Sequence, residues 1–401
     1  MTDALDIVTY YHSPTKLPLL RAAVLPAAGW AAGQGLAVHL ERHWRHGPHL
    51  RIRLAATDPA GAAELAVVAT AVAGRLRRHL AEQPSTARTS VAELLAQAEQ
   101  AGRIELVPPP YAPIHPDNTV RVEPVDDRAL ATLFGSTEAV ECRAALLRLG
   151  VPAVAAAADR LAPADDSATA RVRTCLTAMA LHAGRYPLGL GSGHQSFLSH
   201  LEEFLVHHDP DGRVRAVFDR QWQRSADPVT ALVARLADGA GPSAADGAGP
   251  STTDAAGPEL DPAEREWEQW TLRAAEVTGA AYARGELPRV PGERYLARAE
   301  QIGDPATVRR WHSERTEYSE YHQLLRQVDF DRVPYEREFV TYRFATNVLY
   351  LLLGLLDVQP TERYLAAYLL SRAAERITGI TWQQRITGYL TRLAATAQEV
   401  A

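Results

Sequence analysis

The feature that most constrains this chain is a change of periodicity near Asp126: strand patterns interspersed with helices lie before it, and helical patterning follows almost without a break. Apolar residues at every second position suit one face of a sheet, and apolar residues every three to four positions suit one face of a helix. Two such regions in series specify an α+β fold, with a small antiparallel sheet in an N-terminal mixed lobe and an α-helix-rich lobe after it.

The segment Asp6 to His12 (DIVTYYH) is β-branched and aromatic, and Ser13-Pro14 stops it, so a strand is expected. A helix is expected over Leu17–Trp30, then two strands over Leu36–Trp44 and His49–Ala55 around the turn Arg45-His46-Gly47-Pro48. Pro59–Glu82 and Thr89–Gln100 carry helical periodicity, the first with Asp58 placed to cap it and Pro59 suited to its first turn. A Pro-rich exit at Pro108-Pro109-Pro110-Tyr111 leads to a short strand over Thr119–Glu123. Later helices are expected over Pro262–Glu286, Pro305–Val328, Tyr335–Asp357, Thr361–Thr378 and Trp382–Gln398. Between Asp238 and Pro262 the near-repeat DGAGPSAADGAGPS offers no aromatic or aliphatic anchor to offset chain entropy, and it reads as a disordered insert. The expected organisation is therefore 1–125, 126–237, the insert 238–262, and 263–401.

Composition removes several classes of function. Net charge is −6 with both signs mixed along the chain, so no basic stripe exists to neutralise phosphates, and nucleic acid is not an expected partner. Cys142 and Cys175 form no disulfide framework and have no neighbours at metal-ligand spacing, which fits a reducing cytoplasm. The N-terminus is acidic where a signal peptide is basic, and the longest apolar run, Val348 to Leu356, is about half the roughly 20 residues a bilayer span needs. Neither export nor a membrane is expected. Lys16 is the sole lysine, so a Schiff-base mechanism would have to use it. His207-His208-Asp209 lacks zinc-site spacing, and Gly189-Leu190-Gly191-Ser192-Gly193 falls short of a nucleotide loop, so neither metal nor cofactor is expected.

Three groups of residues are chemically suggestive. His49, Arg51 and Arg53 alternate on one strand face, where they form either a cationic row that orients peptide carbonyls or an ion-paired surface. On the first strand Tyr10 and His12 share one parity and Tyr11 the other, so one set faces a cleft. On the Ser196–Leu205 helix, Phe197, His200, Leu201 and Phe204 fall at i, i+3, i+4 and i+7, leaving His200 as either a core histidine or an acid–base group. The run Trp311 to His322 concentrates hydroxyl and ring donors, including Ser313, Tyr318 and Tyr321, and is expected to be one helix with Trp311, Glu314 and Tyr318 on a stripe.

Three stretches carry a family resemblance. His43-Trp44-Arg45-His46-Gly47-Pro48-His49-Leu50-Arg51-Ile52-Arg53-Leu54 is similar to the strand motif of the lantibiotic dehydratase elimination domains, a histidine followed by alternating arginines. Ser196-Phe197-Leu198-Ser199-His200-Leu201-Glu202-Glu203-Phe204-Leu205 is similar to a Ser-His-acidic helix in the thiopeptide branch, and RFATNVLYLLLGLLDVQPTERYLAAYLL resembles the closing helical hairpin. YAPIHPDN, Tyr111 to Asn118, extends the likeness. The chain thus resembles the stand-alone pyridine synthases of thiopeptide biosynthesis, relatives of the C-terminal elimination domain of class I lantibiotic dehydratases. It departs from the glutamate-eliminating members, whose His-Met-x-x-Asn-Arg signature is here Arg343-Phe344-Ala345-Thr346-Asn347-Val348. A guanidinium cannot exchange protons near neutral pH as an imidazole can.

The resemblance implies an enzyme that joins two dehydroalanines of a modified precursor peptide by formal aza-cycloaddition, with loss of water and leader, without cofactor. Other biosynthetic enzymes are expected partners. Glutamate elimination from glutamylated Ser/Thr and non-catalytic leader binding are the alternatives. Taken with the residue reading, Tyr318, Ser313, His200 and Tyr11 are the expected catalytic groups, and Arg51, Arg53, His49, Trp311, Tyr321, Ser196, Glu203 and Asn347 the expected substrate contacts. The leader is expected to dock on an exposed cationic strand at Arg51 and Arg53.

Overall fold

The expected strands pair into one antiparallel sheet. In the computed structural model, which describes residues 4–161, 167–237, 259–288, 292–312, 314–327 and 337–399, these are β1 (Ala4–Tyr10), β2 (Ala37–His43), β3 (His49–Ala55) and β4 (Thr119–Pro124), in the order β2-β3-β1-β4. Between β1 and β2 run α1 (Leu17–Leu19), a π-helical turn at Leu20–Val24 and α2 (Leu25–Ala32). Between β3 and β4 run α3 (Pro59–Glu82) and α4 (Val91–Glu105). Asp58 caps α3 through Gly61 N at 2.8 Å, and Ser90 with Glu93 forms a capping box on α4.

After β4 the chain is helical: α5 (Arg128–Phe134), α6 (Thr137–Arg160), α7 (Ala168–Gly184), α8 (Leu190–His208), α9 (Arg213–Ala237), α10 (Pro262–Ala283), α11 (Gly292–Ile302), α12 (Pro305–Trp311), α13 (Glu320–Leu325), α14 (Arg337–Leu355), α15 (Pro360–Thr378) and α16 (Trp382–Glu399). Contacts divide the chain into two compact units. The first holds Met1–Asp165, Ala280–Arg315 and Asn347–Asp357; the second holds Asp166–Gly279, Thr316–Thr346 and Val358–Ala401. The change of pattern near Asp126 marks a change of secondary structure, and the first unit reaches past it. Backbone carbonyls draw the later segment in: Arg294 donates to Phe134 O at 2.7 Å, and Arg298 donates to Leu106 O at 3.3 Å. In the second unit α15 packs against α7, α8 and α9.

Two sequence expectations change. The helix expected over Pro305–Val328 is broken, because α12 ends at Trp311, His312 is extended and α13 begins only at Glu320. Trp311 to His322 is therefore not one helix. Most of the expected insert, 238–258, lies outside the described residues, but Leu260 near its end is buried.

Register fixes what each sheet face carries. Ile7 pairs with Ile52 and Val122, and Ile52 pairs with Leu40, so one face is apolar, and α3 packs across β1, β3 and β4. Asp6 pairs with Arg53 and Glu123, and Arg53 pairs with His39, so the other face is charged. That second face is buried too. Arg53 is 6% exposed and bidentate on Asp6 at 2.8 and 3.0 Å, with Asp127 at 2.7 Å; Arg143 pairs with Glu41. Arg53 is thus not the exposed cation expected from the alternation, while Arg51, one quarter exposed, lies 3.5 Å from Asp6. The alternation showed a shared face but not its partners, Asp6 and Asp127, which lie 47 and 74 residues away.

Lys16 is buried, with its ammonium donating to Ser13 O and lying 5.7 Å from the centre of the Tyr11 ring. Burial, followed by the charge of Arg42, pushes its pKa down to about 7 against the pull of Asp357 and Asp117.

Two outcomes are expected. Asp6→Ala leaves the Arg53 guanidinium buried with one of its two carboxylates gone, so urea unfolding should show a loss on the order of 3 kcal/mol; a solvated pair would lose under about 1 kcal/mol. For Lys16, the unfolded chain keeps a proton up to about pH 10 that the folded chain sheds near 7. Stability contributed at this site should rise between those pH values, and the rise should vanish in Lys16→Met when melting temperatures are compared at pH 7 and 9.

Candidate functional site

Each unit carries a cluster of polar side chains. In the second unit the cluster forms on α8, where about 100° per residue separates two arcs. Phe197, Leu198, Leu201 and Leu205 are buried, whereas Ser196, Ser199, His200, Glu203 and Phe204 stay half-buried on the other arc. His200 lies past the edge of the core and does not share the burial of Phe197 and Leu201. The helical spacing alone placed it among them.

α13 packs on this helix through Tyr321, which is buried, donates to Gln195 O at 3.4 Å and meets the Trp382 ring edge-on at 5.4 Å. Burial raises the Tyr321 pKa. The expected substrate contact at Tyr321 is thus a ring in the core. The next residue, His322, is held at both ring nitrogens. Its Nε2 lies 3.0 Å from Ser199 Oγ and its Nδ1 lies 2.8 Å from Ser319 Oγ. Ser319 is also the N-cap of α13, accepting from the backbone N–H of His322 at 3.3 Å.

The electrostatic surroundings are positive. Burial pushes the His200 pKa down to about 3, with further contributions from Arg363, Arg343 and His322 against the pull of Glu203. His200 nonetheless keeps partial solvent contact. Arg363 lies over the Tyr364 ring at 5.1 Å, and Tyr364 stacks on Phe204 at 4.1 Å. Glu203 pairs with His207 at 3.2 Å.

Tyr318 lies on the irregular segment before α13, its hydroxyl accepting from Arg326 at 2.8 Å and its ring 4.4 Å from that guanidinium. Ser313 lies outside the described residues. The remaining expected residues belong to the first unit. Trp311 packs on Tyr295 at 4.8 Å, and Asn347 is exposed on α14. Tyr11, half-buried just after β1, has its pKa raised by burial and then by Asp117. Tyr10 is buried on the charged sheet face.

That face ends in a row of rings. His49 donates from Nδ1 to Gly47 O at 2.8 Å, and its ring centre lies 5.8 Å from His43 and 5.1 Å from Tyr10. His43 accepts the Arg45 N–H at Nδ1, 2.9 Å away, which requires a neutral ring. Burial, then Arg51, pushes the His43 pKa down to about 3. Both histidines are therefore uncharged hydrogen-bonding groups. Sequence reasoning named Ser196, His200 and Glu203 but missed Ser199, His322 and Arg363. A helical wheel held the signal for Ser199, which lies on the same arc as Ser196 and Glu203.

The chain belongs to the family described as lantibiotic biosynthesis dehydratase C-term, whose model matches residues 5–374. Two solved structures share its fold over nearly their whole length. One is the pyridine synthase TbtD from thiomuracin biosynthesis, at 21% identity and TM-score 0.64, covering 94% of this chain and 99% of that one. The other is TsrL, at 15% identity and TM-score 0.58, covering 96% and 98%. No curated protein matches the sequence. Among the described residues no helix is long and apolar enough to cross a membrane.

If Arg363 lowers the His200 pKa, Arg363→Gln should raise it while leaving it below the ordinary histidine value, because burial is the larger cause. An NMR titration of the imidazole reads this directly; an unmoved pKa would remove Arg363 from the site's electrostatics.

Proposed function

We propose that this protein is a pyridine synthase acting on a ribosomally made precursor peptide. It joins two dehydroalanines of the modified core in a formal aza-cycloaddition, after which water leaves and loss of the leader peptide aromatises the six-membered ring and closes the macrocycle. The observation that carries the reading is the end-to-end likeness in fold to TbtD, a pyridine synthase; the resemblance that aligns Arg343 with the histidine of glutamate-eliminating members supports it.

The chemistry suits the cluster on α8. Bringing two distant segments of one flexible chain within reach is the main entropic obstacle, and binding the leader offsets it. The reacting amide must pass to its iminol form, so a hydrogen-bonding group has to take a proton from nitrogen and deliver one to oxygen. The permanent charges of Arg363 and Arg343 favour the negative charge that develops on that oxygen, and a neutral His200 accepts hydrogen bonds without adding a competing positive charge. Ser196 and Glu203 are assigned to substrate contact, with Tyr318 as the alternative proton donor, and Asn347 is retained separately as a substrate-contact candidate. Tyr11, His49, Arg51, Ser313 and Trp311 are retained as further candidates. The reaction is redox-neutral and calls on no external electrons. Enzymes that form the azoles and dehydroalanines are the partners implied, and the cytoplasm, where the precursor is made, is the compartment.

Membership of the dehydratase C-terminal family supports a second reading, glutamate elimination from glutamylated Ser/Thr. Mass spectrometry separates the two. A leader-bearing peptide with azoles and two dehydroalanines should give a pyridine macrocycle and a released leader amide. Elimination instead predicts dehydroalanine from a glutamylated peptide and no cyclised product, and binding of the leader with no product from either peptide would leave a scaffold role.

A further inference from the structure

The second unit contains a hydrogen-bonded chain that the assignments above leave unused: Ser199, His322 and Ser319, in contact through both nitrogens of one imidazole at 3.0 and 2.8 Å. Here Ser319 is itself fixed, since its oxygen caps α13, and α13 is fixed by the buried Tyr321 beneath it. Ser199 and His322 remain half-buried, whereas Ser319 is buried, so the chain runs from a partly open end to a closed one.

We propose that Ser199 is the catalytic residue that takes and returns the amide proton during tautomerisation, and that His322, held by Ser319, is its positioning residue. The inference rests on the pyridine-synthase reading and adds to it the group that moves the proton. In the first step the substrate N–H proton passes to Ser199 Oγ while the Ser199 hydroxyl proton passes to His322 Nε2. The products are a substrate anion and an imidazolium whose two N–H groups each donate to a serine oxygen. In the second step Nε2 returns its proton to Ser199 Oγ and the Ser199 hydroxyl gives its proton to the substrate oxygen, leaving the iminol. The enzyme ends as it began, and no proton or electron is lost. The charge taken up by His322 also disfavours protonation of the neighbouring His200, which therefore stays a hydrogen-bond acceptor throughout.

The test uses the full-length protein and the synthetic leader-bearing bis-dehydroalanine peptide, with wild-type turnover as its control. Absence of wild-type turnover counts against the pyridine-synthase reading; with turnover established, the variants judge Ser199. Ser199→Ala should lower kcat on the order of 10²-fold with KM unchanged, and His322→Gln should do the same. The double variant should be no slower than either single, because the two act as one unit. Ser199→Thr and Ser199→Val are nearly isosteric and differ in the hydroxyl, so Thr should retain most of the turnover and Val should lose it even if Ala perturbs folding. In the wild type, the ¹⁵N resonances of the His322 ring should move when the peptide binds. Wild-type kcat in Ser199→Ala or Ser199→Val, additive losses in the double variant, or an unmoved His322 ring would overturn the proposal.

Discussion

The first unit depends on one buried carboxylate. Asp357 accepts the backbone N–H groups of Lys16 and Leu17, both at 2.7 Å, and the guanidinium of Arg42. Those donors lie more than 300 residues earlier, at the start of α1 and on β2. A carboxylate that is 1% exposed is tolerable only when its oxygens are saturated with donors, and here three groups supply them. Asp357 adopts a left-handed backbone, φ 59°, just past the end of α14, which turns its side chain back toward the sheet. The same stretch approaches α6 closely at Gly150, where an added Cβ would fall 2.3 Å from Leu352. Late sequence thereby becomes part of an early-sequence core.

This dependence on distant partners explains what was legible. Pattern located the strands and the starts of several helices: β3 and α3 match their expected limits, and Asp58 caps α3 as expected. Local chemistry sets those features, so local sequence reveals them. Burial of Arg53 and saturation of Asp357 are non-local, and no window of neighbouring residues contains their partners. The broken donor-rich run is a different case. Ser319 is a good N-cap residue three positions before His322, and that start signal was present but was outweighed by the density of donors around it. The wall on α8 was legible in part, because Ser196, His200 and Glu203 follow from helical spacing, whereas His322 reaches Ser199 from 123 residues away.

The protein treats its imidazoles and its guanidiniums differently, and the contrast bears on chemistry. His43 and His49 on the sheet and His200 on α8 are all pushed toward the neutral form, first by burial and then by neighbouring guanidinium or imidazole groups. Arginine stays charged in every one of these settings. Fixed charge is thus supplied by groups that never titrate, while hydrogen bonding is supplied by groups kept uncharged. An elimination site that uses histidine as acid or base asks one side chain for both. Arg343 on α14 contributes a permanent charge beside His200. Beside His200, the Ser199 hydroxyl lies against an imidazole whose far nitrogen is held by a second hydroxyl, so that ring is fixed from both sides.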